Sequence, residues 1–96
     1  YSDGHCYAFA MQDQKIGKLV GQQVPGTCTF ASWEALQDNS IRWGVPPVGV
    51  KAMNGKYLEN WPTEPDIKVW NEYEVVWKGK DQQLEAAVKA LLGDLK

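Results

Sequence analysis

The chain has 96 residues, with 10 Lys and Arg against 12 Asp and Glu, a formal net charge of −2 and a 44% hydrophobic content. That balance, without any Lys/Arg stripe, argues against a nucleic-acid binder, and no apolar run approaches the ~20 residues that a membrane-spanning helix needs. The length allows one domain at most, residues 1–96, with a modest core. No signal peptide is present; a chain that opens at Tyr1 rather than Met reads as a processed or trimmed product, so its compartment is a property of the parent protein.

Tyr1-Ser2-Asp3-Gly4 leads into an amphipathic helix from Gly4 to Lys15 with Cys6, Ala8, Phe9 and Ala10 at its apolar positions and a stop at Ile16-Gly17. A serine at such a start has two readings. It can be an N-cap, its hydroxyl accepting a first-turn N–H, or a nucleophile, because the free N–H groups and positive dipole end of a helix stabilise an oxyanion beside it. Lys18 to Gln23 reads as a strand, broken at Val24-Pro25-Gly26. Phe30 to Ser40 is of mixed character: Ser32 can cap a short helix through Trp33, Glu34, Ala35 and Leu36, or the stretch is an irregular excursion.

Ile41 to Val45 and Val48 to Met53 read as strands interrupted by Pro46-Pro47. Asn54-Gly55 is the strongest hairpin signal in the chain and predicts a type I′ turn, with Lys56 to Glu59 as the returning arm. Ile67 to Trp70 is a short strand after the Pro65 break. Asp81 caps a last helix in which Leu84, Ala87, Val88, Leu91, Leu92 and Leu95 share one face.

Cys6 and Cys28 are the only thiols. They read as two buried free thiols or, in a secreted protein, as a disulfide from the first helix to the loop after the first strand. No ligand cluster or phosphate-cradling loop is present, so neither a metal nor a cofactor is implied. His5, the sole imidazole, reads as a helix-surface histidine, with a role as base to the nearby Ser2 as the alternative. The five tryptophans, Trp33, Trp43, Trp61, Trp70 and Trp77, divide between core positions and surfaces that meet other protein.

Several segments match one family in order and spacing: Ile16-Gly17-Lys18-Leu19-Val20-Gly21 through Gly26-Thr27, Arg42-Trp43-Gly44-Val45-Pro46, Asn54-Gly55-Lys56-Tyr57-Leu58-Glu59-Asn60, Glu64-Pro65-Asp66-Ile67-Lys68-Val69, and Lys80-Asp81-Gln82-Gln83-Leu84-Glu85-Ala86-Ala87. With the serine before the first helix, the chain resembles the carboxy-terminal half of the catalytic domain of the tail-specific (C-terminal processing) and tricorn-type serine peptidases. The Ser2-Asp3 pair looks closer to the tricorn branch than to the branch with a serine-lysine dyad. The resemblance implies an α/β fold, a fragment of a crotonase/Clp-protease-like sheet domain whose opening strands and helices precede Tyr1. Its elements here would be an opening helix, short strands including a hairpin, and a C-terminal helix.

The same resemblance implies site residues. Ser2 is the expected nucleophile, and the backbone N–H of Asp3 one oxyanion donor; the histidine base and a second, glycine donor are expected upstream. Glu59 is the expected acid of the charge-relay group and Glu64 its competitor, although Glu64-Pro65-Asp66 looks like a structural turn. Trp61-Pro62 departs from the glycine-led turn usual in the family.

The expected activity is that of a serine endopeptidase acting on unfolded or peptide-like substrates, with this fragment inactive alone; the alternative is a noncatalytic peptide-binding or assembly module. Implied partners are a polypeptide substrate, the N-terminal half of the parent chain and, compatibly, further copies in a homo-oligomer, with no nucleic acid. A periplasmic or secreted setting is expected over a cytoplasmic one.

Overall fold

The structure, a computed structural model, describes residues 1–95. Its elements are α1 (Ser2–Asp13), β1 (Val20–Gly21), β2 (Ser32–Ala35), β3 (Arg42–Val45), β4 (Ile67–Lys68), α2 (Tyr73–Val76) and α3 (Gln82–Asp94). Helix and strand are mixed, with two small two-stranded sheets, as an α/β reading expects. The chain divides into two compact units, Tyr1–Ala10 with Val24–Thr63, and Met11–Gln23 with the chain from Glu64 onward. Among the described residues no helix is long and apolar enough to cross a membrane.

In the first unit a small core gathers around Cys28, Ala52 and Leu58, with Cys6, Phe9, Val50 and Trp61 packed against it. The free-thiol reading of the cysteines is corrected: Cys6 and Cys28 form a disulfide, their Cα atoms 4.7 Å apart. It staples α1 to the segment before β2. Closing a loop over a sequence separation of 22 restricts the unfolded chain by about 3 kcal/mol on loop-entropy grounds, a large share for so small a core.

The expected helix after Ser32 is also corrected. Ser32–Ala35 is a strand, paired antiparallel with Arg42–Val45 in the register Ser32↔Val45, Trp33↔Gly44, Glu34↔Trp43 and Ala35↔Arg42. The turn between them explains why. Asp38 Oδ1 accepts the Ser40 N–H at 3.0 Å, Asn39 takes a φ of 58°, and the Leu36 N–H donates to the Ile41 carbonyl at 3.1 Å. An Asx turn followed by a residue that tolerates positive φ reverses the chain, and the aromatic positions then find cross-strand partners.

Val48 to Met53 forms less strand than expected, a single bridge between Lys51 and Tyr57. Asn54-Gly55 does turn the chain, but not as type I′. Of the two residues only Gly55 has positive φ, 83°. The Gly55 N–H donates to the Ala52 carbonyl and the Ala52 N–H to the Lys56 carbonyl, both at 2.9 Å. This is a three-residue loop with a type I bend and glycine in the left-handed position, the next commonest hairpin solution.

In the second unit β1 and β4 pair in parallel, Val20↔Ile67 and Gly21↔Lys68, two residues each where longer strands were expected. Asp66 explains the junction: its carboxylate accepts the Leu19 N–H at 2.7 Å and the Gln12 side-chain amide at 3.0 Å, which aligns the entry to both strands. α2, which the sequence reading missed, is a single short turn ending before Gly79 at φ 81°.

Asp81 caps α3 as expected, accepting the Leu84 N–H at 2.9 Å and the Asn71 amide at 3.1 Å. Gln83 ties α3 to the sheet by donating to the Val69 carbonyl at 3.1 Å. The apolar face of α3 is nevertheless exposed at Leu84, Val88, Leu91, Leu92 and Leu95.

The Leu84 N–H, and after it Asn71, hold the Asp81 carboxyl below the usual aspartate range. A depressed folded-state value means that the cap's contribution is complete above the unfolded pKa and is lost as pH falls through the folded one. Asp81→Ala is therefore expected to lower the melting temperature at pH 7. Thermal melts followed by circular dichroism across acidic pH should show the gap from wild type closing as the cap protonates.

Candidate active site

The site is built on a close approach of two backbones. Val24 and Thr63 exchange N–H···O=C bonds at 2.9 Å each, an isolated antiparallel bridge that lays the chain at Val24 beside the chain at Thr63. Two residues on, a Cβ built on Gly26 would stand 2.9 Å from the Trp61 nitrogen and closer still to its carbonyl. Real side chains do not occupy such space, so glycine is required by the approach of backbone to backbone.

Thr27, next in the chain, makes two contacts. Its carbonyl accepts the Ser2 N–H at 2.8 Å, and its hydroxyl donates to the Glu59 carboxylate. The expected nucleophile and the expected acid are thus brought to one residue. Sequence reasoning had Thr27 only as the end of a motif, and the turn expected at Val24-Pro25-Gly26 does not form.

Ser2 opens α1 with a φ of 51°, and among the described residues no first-turn N–H donates to its hydroxyl. It therefore does not serve as the extended N-cap of the structural reading. A non-glycine residue in this region costs on the order of 1–3 kcal/mol and persists where its surroundings over-determine it. Asp3 follows in the first turn, where its carboxylate complements the helix dipole and its N–H has no acceptor among the described residues.

Glu59 is held by a turn, not by strand pairing as expected. The ladder ends with the Leu58 N–H on the Val50 carbonyl at 2.9 Å, and the Trp61 N–H then closes on the Leu58 carbonyl at 3.3 Å. Asn60, at φ 54°, supplies the positive φ that asparagine tolerates in a turn. Leu58, only 2% exposed, anchors this turn in the core.

His5 is corrected from a surface histidine to a fully buried one. Its Nε2 meets the Thr63 hydroxyl at 3.0 Å, while Nδ1 has no hydrogen-bond partner among the described residues. Desolvation first, and the nearby N-terminal ammonium second, lower its pKa, with the Trp61 carbonyl acting in the other direction without closing a bond on Nδ1. Both lowering effects favour the neutral ring, whose Nε2 is engaged by Thr63.

Glu64, the competitor to Glu59, belongs to the second unit. Lys68 pairs with it at 2.9 Å and Gln23 donates to it; Lys68 first and Gln23 second hold its carboxyl below the usual range. Its neighbour Asp66 is likewise taken up by Leu19 and Gln12.

No protein-family model and no solved structure matches the chain. Among curated proteins, a protein named "Putative Tricorn-like protease C-terminal subunit", from Sulfurisphaera tokodaii, is 30% identical over 96 residues, an overlap covering 98% of this chain and 11% of that protein. The chain thus spans about a ninth of the length of the relative it matches. This likeness supports a relationship to the Tricorn-like peptidases.

Gly26→Ala is expected to force the backbones at Gly26 and Trp61 apart, with Thr27 displaced from Ser2 and Glu59. Backbone amide shifts in an NMR spectrum should move at residues 2, 27 and 59–61, whereas the same substitution at Gly93, with open space around it, should move only those of its immediate chain neighbours.

Proposed function

We propose that this chain is the nucleophile-bearing, carboxy-terminal part of a serine endopeptidase catalytic domain of the tricorn type, built on a crotonase/Clp-protease-like sheet, that hydrolyses peptide bonds in unfolded or peptide-like substrates. The observation that carries the reading is the convergence of Ser2 and Glu59 on Thr27. The likeness to a Tricorn-like protease lends it independent support.

In this reading Ser2 attacks the scissile carbonyl. A serine hydroxyl is a weak nucleophile without a positioned base, and His5 is taken up by Thr63, so the base is a histidine from the upstream half of the domain. Glu59 orients that imidazole and stabilises its cation, the part an acid plays in such triads. The Asp3 N–H, at the positive end of α1, is one oxyanion donor, and an upstream glycine is the other. Loss of one such donor costs on the order of a hundredfold or more in rate, so residues 1–96 alone are inactive.

Apolar surface left open in the chain fits the presence of that upstream half. Trp33, Trp43, Trp70 and Trp77 are all exposed, and aromatic residues are enriched at interfaces between proteins. The same surface would serve a noncatalytic assembly module, and the serine substitution separates the two readings.

In the complete peptidase, Ser2→Ala should reduce cleavage of an unstructured protein substrate by about 10⁴-fold or more; near-normal turnover would exclude Ser2 as the nucleophile. Glu59→Gln should lower kcat by about tenfold or more relative to Glu64→Gln, since an orienting acid acts through tautomer and placement. Equal effects of the two substitutions would remove Glu59 from the site.

A fluorophosphonate probe offers a separate check on residues 1–96 alone. Labelling at Ser2 should not exceed that of a denatured control. Stoichiometric labelling would mean that a base acts from within the chain, with His5 the first residue to substitute.

A further inference from the structure

We infer that Thr27 is a positioning residue that holds acid and nucleophile in register, a role that rests on the peptidase reading above. One residue fixes both groups: its carbonyl takes the Ser2 N–H at 2.8 Å and its hydroxyl donates to Glu59.

The two neighbours of Thr27 are themselves immobilised, each by a contact that leads back to the same pair. Before it, Gly26 lies against the Trp61 backbone, two residues from Glu59 and in the same turn. After it, Cys28 is 6% exposed and bonded to Cys6, one helical turn beyond Ser2. Thr27 therefore cannot move along the chain without breaking core contacts at both ends of the site. Its β-branched side chain is also stiff at χ1, which makes the hydroxyl a short and rigid arm.

Stability does not account for this bond. Glu59 is exposed, and a carboxylate in water loses little when one hydroxyl is withdrawn, because solvent replaces it. What the hydroxyl removes is rotamer freedom, and a long acidic side chain has much of it. A group that must orient a base gains from that loss, since misplacement of a supporting residue by about 1 Å can cost a hundredfold in rate.

The test uses the complete peptidase with Thr27→Val, which keeps the shape and removes the hydroxyl, and Thr27→Ser, which keeps the hydroxyl. Each is made alone and with Glu59→Gln, beside Ser2→Ala. Thr27→Val should lower kcat by about tenfold with KM and melting temperature unchanged, Thr27→Ser should restore most of the rate, and Thr27→Val should add nothing in the Glu59→Gln background.

Wild-type kcat for Thr27→Val, with Ser2→Ala inactive, would overturn the inference and leave the peptidase reading standing. An undiminished cost in the Glu59→Gln background would do the same, as would a loss shared by Thr27→Ser that follows the melting temperature. Activity retained by Ser2→Ala would overturn the peptidase reading and the inference with it.

Discussion

The contact between Gly26 and the backbone at Trp61 governs the first unit. Because position 26 lacks a Cβ, the segment after β1 can lie directly on the chain that follows the second hairpin. Everything near the site inherits its place from that approach. Thr27 comes within reach of Glu59 on one side and of the Ser2 N–H on the other. Cys28 enters the core at a distance from Cys6 that a disulfide can span. Ser2 can then sit at a positive φ, because the helix that follows it is stapled and its own N–H is engaged. Strain of this kind survives only where neighbours leave no alternative.

The acidic residues show how environment separates roles that residue type leaves open. Asp81 and Asp66 each accept a backbone N–H; the first caps a helix and the second joins two strands. Glu64 is paired with Lys68 and accepts a hydrogen bond from the Gln23 amide. Among the described residues Glu59 meets neither a cation nor a backbone amide but the hydroxyl of Thr27.

Apolar surface is distributed unevenly. The core of the first unit is small, while Trp33 and Trp43 on the β2–β3 hairpin, and the leucines of α3, face outward. The helical spacing of those leucines gives α3 a clear apolar side, yet nothing among the described residues covers it. Stapling by a disulfide is how small domains offset a core of this size, and it falls in the part of the chain that carries Ser2.

The sequence by itself determined the features that depend on neighbours along the chain. The Asp81 cap, the reversal at Asn54-Gly55, the break at Pro65 and the helix after Ser2 each follow from local bonding or from a fixed φ, and each stands in the structure with bounds moved by a few residues. The Asp38-Asn39-Ser40 turn was equally local but went unread, and cross-strand pairing with Arg42–Val45 makes a strand of the stretch expected as a helix capped by Ser32 or an irregular excursion. Tertiary structure alone decided the rest. The Cys6–Cys28 bond, the burial of His5 against Thr63 and the reach of Thr27 to Glu59, 32 residues away, join segments that no spacing rule connects. They depend on which backbones can approach, and that was settled by a missing Cβ at Gly26, visible as a glycine in the sequence but meaningful only once Trp61 lies across from it.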